Sequence, residues 1–285
     1  MFSAEQLEQF SRSGFVNGGQ VLDTATVDTL LSEVMRVIAD RDNKAVPQPV
    51  LLRNLGVDDE HPVWQIVNIW QASPAFQTLI HNEQIASMAA QLSHAHELRV
   101  WHDQIQYKPK EQGGRLNWHQ DSPLWDTIQP KTAQVTAWIA LDDADVDNGC
   151  MFMVPGSHKW GDSMAAINEF PDNGAMPETF NGQPVHVIMC PVRKGHVHFH
   201  HGLTWHGSGV NHSHRPRRAI AIHMMTEQTV YDPRGNHPMK AFTTVAPGEK
   251  LAGDAFPLVW TGTPAASQTP AASSEPAVAK TGKVY

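Results

Sequence analysis

The run Asn117-Trp118-His119-Gln120-Asp121-Ser122-Pro123 sets an imidazole and a carboxylate two residues apart. On an extended strand that spacing turns both side chains to one face, where they can grip a single cation. Two ligands do not complete a site, and the best third candidate is His206, in Trp205-His206-Gly207-Ser208-Gly209-Val210-Asn211. Two histidines and one carboxylate on one side of an ion leave the opposite side open for substrate and O2. That facial arrangement points to Fe(II) oxygenases, whereas structural zinc usually takes four closed ligands. A lone His-X-Asp arises often by chance, so the distal block carries much of the weight. Eleven residues after His206 comes Arg217, in Arg215-Pro216-Arg217-Arg218, followed by the strand-like Ala219-Ile220-Ala221-Ile222-His223. A guanidinium fork beside iron suits the distal carboxylate of 2-oxoglutarate, held by two hydrogen bonds. Taken alone, the same four residues also read as a solvated basic turn.

Histidine is over-represented here, with 17 in the chain and eight of them between His196 and His223. His196, His198 and His200 alternate and would share one face of a strand, so a rival metal site stays open beside the reading of them as ordinary imidazoles. His158 reads as a turn residue. Cys150 and Cys190 each sit among apolar or β-prone residues and read as small core side chains.

The elements that must position these residues fall into two parts. Ser3 followed by Gln6 has the form of a capping box, with Leu7, Phe10 and Phe15 as the apolar stripe of a first helix. Val27, Leu30, Leu31, Val34, Val37 and Ile38 follow helical spacing in a second, and a further helical stretch is expected from about 74 to 92. From residue 98 onward the pattern becomes short β-prone runs between Gly, Pro and Asn, over 98–107, 134–141, 150–154, 186–190, 196–201 and 219–226. The expected fold is mainly β with flanking helices, a jelly-roll-like core. We expect one domain over 1–260, helical to about 95 and β from about 96 to 230. The irregular segment 160–184 reads either as an active-site cover or as a plain surface loop. The Pro/Ala/Ser-rich stretch 261–285 reads as a disordered tail.

Composition excludes several roles. A net charge of −8 with no basic stripe gives no footprint for nucleic acid. No apolar run approaches the roughly 20 residues of a membrane span, and the first residues lack a basic region followed by an apolar one, so a cytoplasmic protein is expected.

The two blocks together resemble the phytanoyl-CoA dioxygenase family, which pairs a His-X-Asp with a distal His-Gly-Ser-Gly-X-Asn-X-Ser and an Arg eleven residues after the distal His. The likeness runs over about 98–226, with Tyr107-Lys108-Pro109, Trp138, Asn148-Gly149-Cys150 and Val154-Pro155-Gly156-Ser157-His158 in matching places. One departure is Gly195-His196 where relatives often carry Gly-Asp. The resemblance implies a double-stranded β-helix with His119, Asp121 and His206 as iron ligands and Arg217 as the 2-oxoglutarate clamp. It implies further that Ser208 assists Arg217 and that Gln104 and Trp138 line the cosubstrate pocket. The activity it implies is a dioxygenase using Fe(II), 2-oxoglutarate and O2 to hydroxylate an unactivated C–H bond of a small molecule, releasing succinate and CO2. Halogenating relatives replace the carboxylate ligand with a small residue, and Asp121 therefore favours hydroxylation or a related oxidation. Trp125, Phe152, Met153 and Trp205 read equally as substrate-side or core residues. A metal-dependent jelly-roll isomerase and a catalytically silent binding module remain as alternatives, while substrate identity and oligomeric state are not legible.

Overall fold

The N-terminal part owes its helices to the expected apolar periods and to well-made caps. The structure is a computed structural model describing residues 1–56, 62–111, 114–170 and 175–263. From residue 264 onward the expected tail lies outside the described residues. Helix α1 (Ala4–Ser13) opens with the Ser3/Gln6 capping box, in which the Ser3 hydroxyl accepts the Gln6 amide and the Gln6 side chain accepts the Ser3 amide. It stops at Gly14, whose φ of +84° suits glycine, so Phe15 begins a strand instead of continuing the stripe. Helix α2 (Thr24–Ala39) is capped by Asp23 and buries Val27, Leu30, Val34, Val37 and Ile38. The stretch expected over 74–92 is two helices, α3 (Pro74–Ile80) and α4 (Glu83–Ser93). His81 closes the first with tight-turn bonds to the Thr78 and Leu79 carbonyls, and the Asn82 side chain accepts the Ile85 amide to start the second. Two single turns, α5 (Asp121–Leu124) and α6 (Met164–Ile167), lie further on.

Three strands interrupt the part expected to be mainly helical: β1 (Phe15–Gln20), β2 (Leu51–Asn54) and β3 (Trp64–Val67). In β1 the run Asn17-Gly18-Gly19 has poor strand propensity, and the strand exists because it pairs with a later one across a bulge. The rest of the β structure is β4 (Glu97–Lys108), β5 (Leu116–His119), β6 (Ile128–Gln129), β7 (Gln134–Ala140), β8 (Met151–Met153), β9 (Thr179–Phe180), β10 (Gln183–Pro184), β11 (Ile188–Cys190), β12 (His196–His201), β13 (His206–Ser208), β14 (Arg217–Thr226), β15 (Val230–Tyr231) and β16 (Leu258–Thr261). The larger sheet runs β1-β12-β7-β14-β4-β3-β2, with β16 also on β4, and the smaller runs β11-β8-β13-β5. All pairings are antiparallel, and the two sheets form the jelly-roll core.

Strand alternation sorts the larger sheet by chemistry. Val135, Ala137 and Ile139 of β7, Val197 and Phe199 of β12, and Ile220, Ile222 and Met224 of β14 face the helices, packing with Val27, Leu30, Phe76 and Ile85. The intervening residues face the smaller sheet and include Thr136, Trp138, His198, His200, Arg217 and His223, all buried. Here the usual outward polar face of a half-covered sheet is turned inward, into the space between the sheets. Among the described residues no helix is long and apolar enough to cross a membrane.

Candidate metal centre

The smaller sheet brings the ligand candidates together. His119 at the end of β5 and His206 at the start of β13 are cross-strand partners, with ring centroids 4.1 Å apart. Gly207 is required beside them, since a Cβ there would meet Phe152 at 2.6 Å and the Leu116 carbonyl at 2.8 Å. Asp121 is not on the strand, as the sequence spacing suggests, but opens α5. Gln120 between it and His119 is extended (φ −119°, ψ 139°), so the two side chains still converge. One carboxylate oxygen, Oδ1, lies 3.7 Å from His119 Nε2 and 3.6 Å from His206 Nε2. Among the described residues this is the one group of three or more His, Cys, Asp or Glu side chains spaced to hold an ion.

The second nitrogen of each ring settles what the first can do. His119 Nδ1 lies 2.8 Å from the Asn117 carbonyl and His206 Nδ1 lies 2.9 Å from the Thr204 carbonyl. A carbonyl only accepts, so each Nδ1 carries the proton and each Nε2 presents a lone pair toward Asp121 Oδ1. Burial pushes both imidazoles down to about 4, so they are neutral donors near pH 7. Burial acts the other way on Asp121, but His206, His223 and His200 around it outweigh this and hold its carboxyl well below the usual range. Two neutral nitrogens and one anionic oxygen with an open side form the donor set that suits Fe(II).

The other carboxylate oxygen is held by Thr136, which the sequence did not single out, and by His200, read there as part of a rival metal site. Asp121 Oδ2 accepts from His200 Nε2 at 3.0 Å and from the Thr136 hydroxyl at 3.0 Å, and Thr136 Oγ1 is 2.8 Å from His223 Nδ1. The carboxylate therefore divides its work, Oδ1 toward the ligands and Oδ2 toward its supports. Behind His223 stands His102, with ring centroids 4.6 Å apart and Trp125 against both. Of the alternating histidines on β12, His198 stacks on Phe15 and His200 supports Asp121, so the three do not converge on one ion.

A small cavity beside the triad is lined by Gln106, Leu116, Asp121, Trp138, Met151, His206 and Ser208, among others. Arg217 contacts two of these lining residues, Ser208 and Trp138. The arginine is fully buried, stacks over the Trp138 ring at 5.5 Å and donates to Ser208 Oγ at 3.4 Å, while Nε and Nη1 have no partner among the described residues. Buried guanidinium N–H groups without acceptors fit an absent carboxylate. Gln104 lines an adjoining cleft with Arg217, Lys108 and Gln65, and Gln106, two residues along the same strand face, accepts the Trp138 indole N–H at 3.2 Å. Lys108 donates to the Gly209 and Ser208 carbonyls, and burial together with Arg217 lowers its ammonium to about 6. Trp125, Met153 and Trp205 are core residues, while Phe152 is half-buried against Trp118. The signal that could have found Gln106 and His223 is their period-2 relation to Lys108 and Arg217; what hid them is that period 2 does not say which face is inward.

The segment after β8 packs over the smaller sheet, with Trp160, Ile167, Phe170, Met176 and Phe180 against Trp118, Phe152 and Trp205. Part of it, 171–174, lies outside the described residues.

Comparison with known proteins agrees with this chemistry. The family described as phytanoyl-CoA dioxygenase matches residues 10–219. Phytanoyl-CoA dioxygenase domain-containing protein 1 of Mus musculus is 30% identical over 165 residues, and the match spans 56% of this chain and only 56% of that relative's length. Ectoine dioxygenase of Bordetella parapertussis is 25% identical over 278 residues, 87% of this chain and 86% of the relative. Among solved structures, the non-haem alpha-ketoglutarate-dependent carbocyclase SnoK from nogalamycin biosynthesis superposes with a TM-score of 0.72 at 26% identity, covering 90% of this chain and 96% of its own. The epimerase SnoN, in complex with Fe3+, alpha-ketoglutarate and nogalamycin RO, does so with a TM-score of 0.70 at 25% identity, covering 90% and 97%.

Proposed function

The chain belongs to the phytanoyl-CoA dioxygenase family, and on that basis we propose that it is an Fe(II)- and 2-oxoglutarate-dependent dioxygenase that hydroxylates an unactivated C–H bond of a small molecule. The observation that carries this is the pairing of a three-donor set, its Nε2 atoms turned toward Oδ1, with a buried arginine whose Nε and Nη1 lack acceptors among the described residues. His119, Asp121 and His206 hold the iron, with Asp121 offsetting part of its charge. Arg217, aided by Ser208 and braced on Trp138, takes the distal carboxylate of 2-oxoglutarate. Gln106 fixes the Trp138 indole, and Gln104 lines the adjoining cleft together with the same arginine. Iron and 2-oxoglutarate, when bound, supply an oxidant able to take hydrogen from carbon and return oxygen to it, with succinate and CO2 as by-products. The side chains contribute geometry, water exclusion and aim: Asp121 is fixed through Oδ2, and both ligand imidazoles through Nδ1. Asp121 keeps a carboxylate where halogenation would need an opening, which favours oxygen transfer to substrate.

Metal-free protein given Fe(II) and then 2-oxoglutarate without O2 is expected to develop the weak visible charge-transfer band of a chelated 2-oxo acid. Arg217→Ala should need far more 2-oxoglutarate to reach it. Admission of O2 should convert 2-oxoglutarate to succinate. Metal binding without a band would turn the reading toward a metal-dependent isomerase, and no metal binding toward a silent binding module. With a substrate in hand, transfer of one oxygen atom from O2 into product separates hydroxylation from epimerisation or ring closure.

A further inference from the structure

Gln120 lies between His119 and Asp121 and is fully buried, yet it is polar and points away from the donor set. Its carboxamide makes three bonds, all to backbone. Nε2 donates to the Gly161 carbonyl at 2.8 Å and to the Leu203 carbonyl at 2.7 Å, and Oε1 accepts the Ser163 amide at 2.7 Å. Its own amide meets Met164 Sδ at 3.2 Å. One side chain thus joins two pieces of chain distant in sequence: the 161–164 turn after β8, and the connection leading into β13.

The second piece bears directly on His206. Leu203 precedes Thr204, whose carbonyl orients the His206 ring, and the Gly202 carbonyl accepts the Ser122 amide at 2.9 Å, next to Asp121. The chain on either side of that turn also grips Trp205, immediately before His206. The Trp205 amide donates to Ser157 Oγ at 2.8 Å, and its indole packs on Trp160 and Phe180 with centroids 4.9 and 4.7 Å away. Gln120, immediately after β5, is thus the side chain that ties the 161–164 turn to the connection entering β13, while the chain flanking that turn holds Trp205.

We propose that Gln120 is a positioning residue that locks the 161–164 turn to both ligand-bearing strands, so that binding of iron and ordering of this turn favour one another. This rests on the iron reading above. The physical reason is geometric. A facial site tolerates little displacement of its donors, and the polar contacts that aim them set affinity nearly as much as the ligands do. If Gln120 were only a satisfied core amide, its loss would lower the unfolding temperature and leave metal affinity alone.

The test uses the full chain and Fe(II) under anaerobic conditions. Affinity is read by competition with a chromophoric chelator, and amide hydrogen exchange is followed at 161–164 with and without metal. In the wild-type protein Fe(II) should slow exchange of the Ser163 amide. Gln120→Met, close in length but without the amide, should weaken Fe(II) roughly 10–100-fold and abolish the metal-dependent slowing. Unchanged affinity, or slowing that persists in the variant, overturns the proposal. A wild-type protein that binds no Fe(II) overturns the iron reading itself, and this inference with it, before any variant is made. Should Gln120→Met fail to fold, Gly161→Ala decides. Gly161 has φ +74°, and a Cβ there meets nothing within 4 Å, so the substitution strains only the backbone whose carbonyl Gln120 holds. A several-fold loss of Fe(II) affinity supports the lock, and wild-type affinity overturns it.

Discussion

His119 and His206 on the smaller sheet differ from His200 and His223 on the larger in the partner each ring has been given. In the first pair Nδ1 is tied to a backbone carbonyl two residues away and Nε2 is left free. In the second pair a ring nitrogen is already engaged with Asp121 or with the Thr136 hydroxyl beside it. An imidazole whose second nitrogen is fixed by a carbonyl is left able to donate to a metal; one that serves a carboxylate is a brace. The same residue type does two jobs, and hydrogen bonding assigns them.

The sharpest way to break this comparison is to truncate one member of each pair. His206→Ala should abolish measurable Fe(II) binding in an anaerobic chelator competition, whereas His200→Ala should weaken it roughly 10–100-fold, the range for a residue that orients a ligand. Equal losses would dissolve the distinction between donor and brace. Arg217→Ala sharpens it from another side: Fe(II) affinity should hold while 2-oxoglutarate binding falls by about 2–5 kcal/mol, the cost of truncating one partner of a buried charge pair. Isothermal titration with each ligand reads the two separately. A smaller effect is expected from Thr136→Val, which removes a hydrogen bond to a carboxylate worth about 1.5–3 kcal/mol and keeps the shape. Its unfolding free energy should drop, with iron affinity falling less than in His200→Ala.

His119, His206, His223 and the neighbouring His198 carry a burden that pH exposes. His119, His206 and His223 sit at about 4 and His198 at about 3, all lowered first of all by burial. Unfolded imidazoles titrate near 6.5, so as pH falls the unfolded chain takes up protons that the fold refuses. The stability of the metal-free protein should therefore be full above about pH 6.5 and decline steadily toward about pH 4. Thermal melting across that window reads it, and a flat midpoint between about pH 7 and 5 would contradict neutral buried rings. Least of all, Ser3→Ala at the α1 cap should cost about 1 kcal/mol and leave iron affinity unchanged. That sets the background against which the site variants are judged.

Much of this was legible. The His119/Asp121 spacing, the distal His206 and the Arg217 offset are short-range patterns, and the structure brings the three ligand candidates to one point and sets Arg217 against Ser208 and Trp138, which line the cavity beside them. The cap of α1 and the apolar period of α2, like the strand runs from β4 onward, follow from local propensity and period. The misreadings have local causes too. A polar pair, His81-Asn82, splits what looked like one helix, and Asn17-Gly18-Gly19 disguises a strand that only its partner stabilises.

What the sequence determined by itself is which residues could ligate and which would share a strand face, because side-chain direction repeats every second residue whatever the surroundings. What only the tertiary structure decided is which face turns inward and which residues meet across it. Asp121 reaches His200 and Thr136, Trp138 reaches Gln106, and Gln120 reaches Gly161 and Leu203 through sheet register and loop packing. Register is a long-range quantity: shifting one strand by a single residue would exchange the braces of Asp121 for the apolar side chains now packed against the helices.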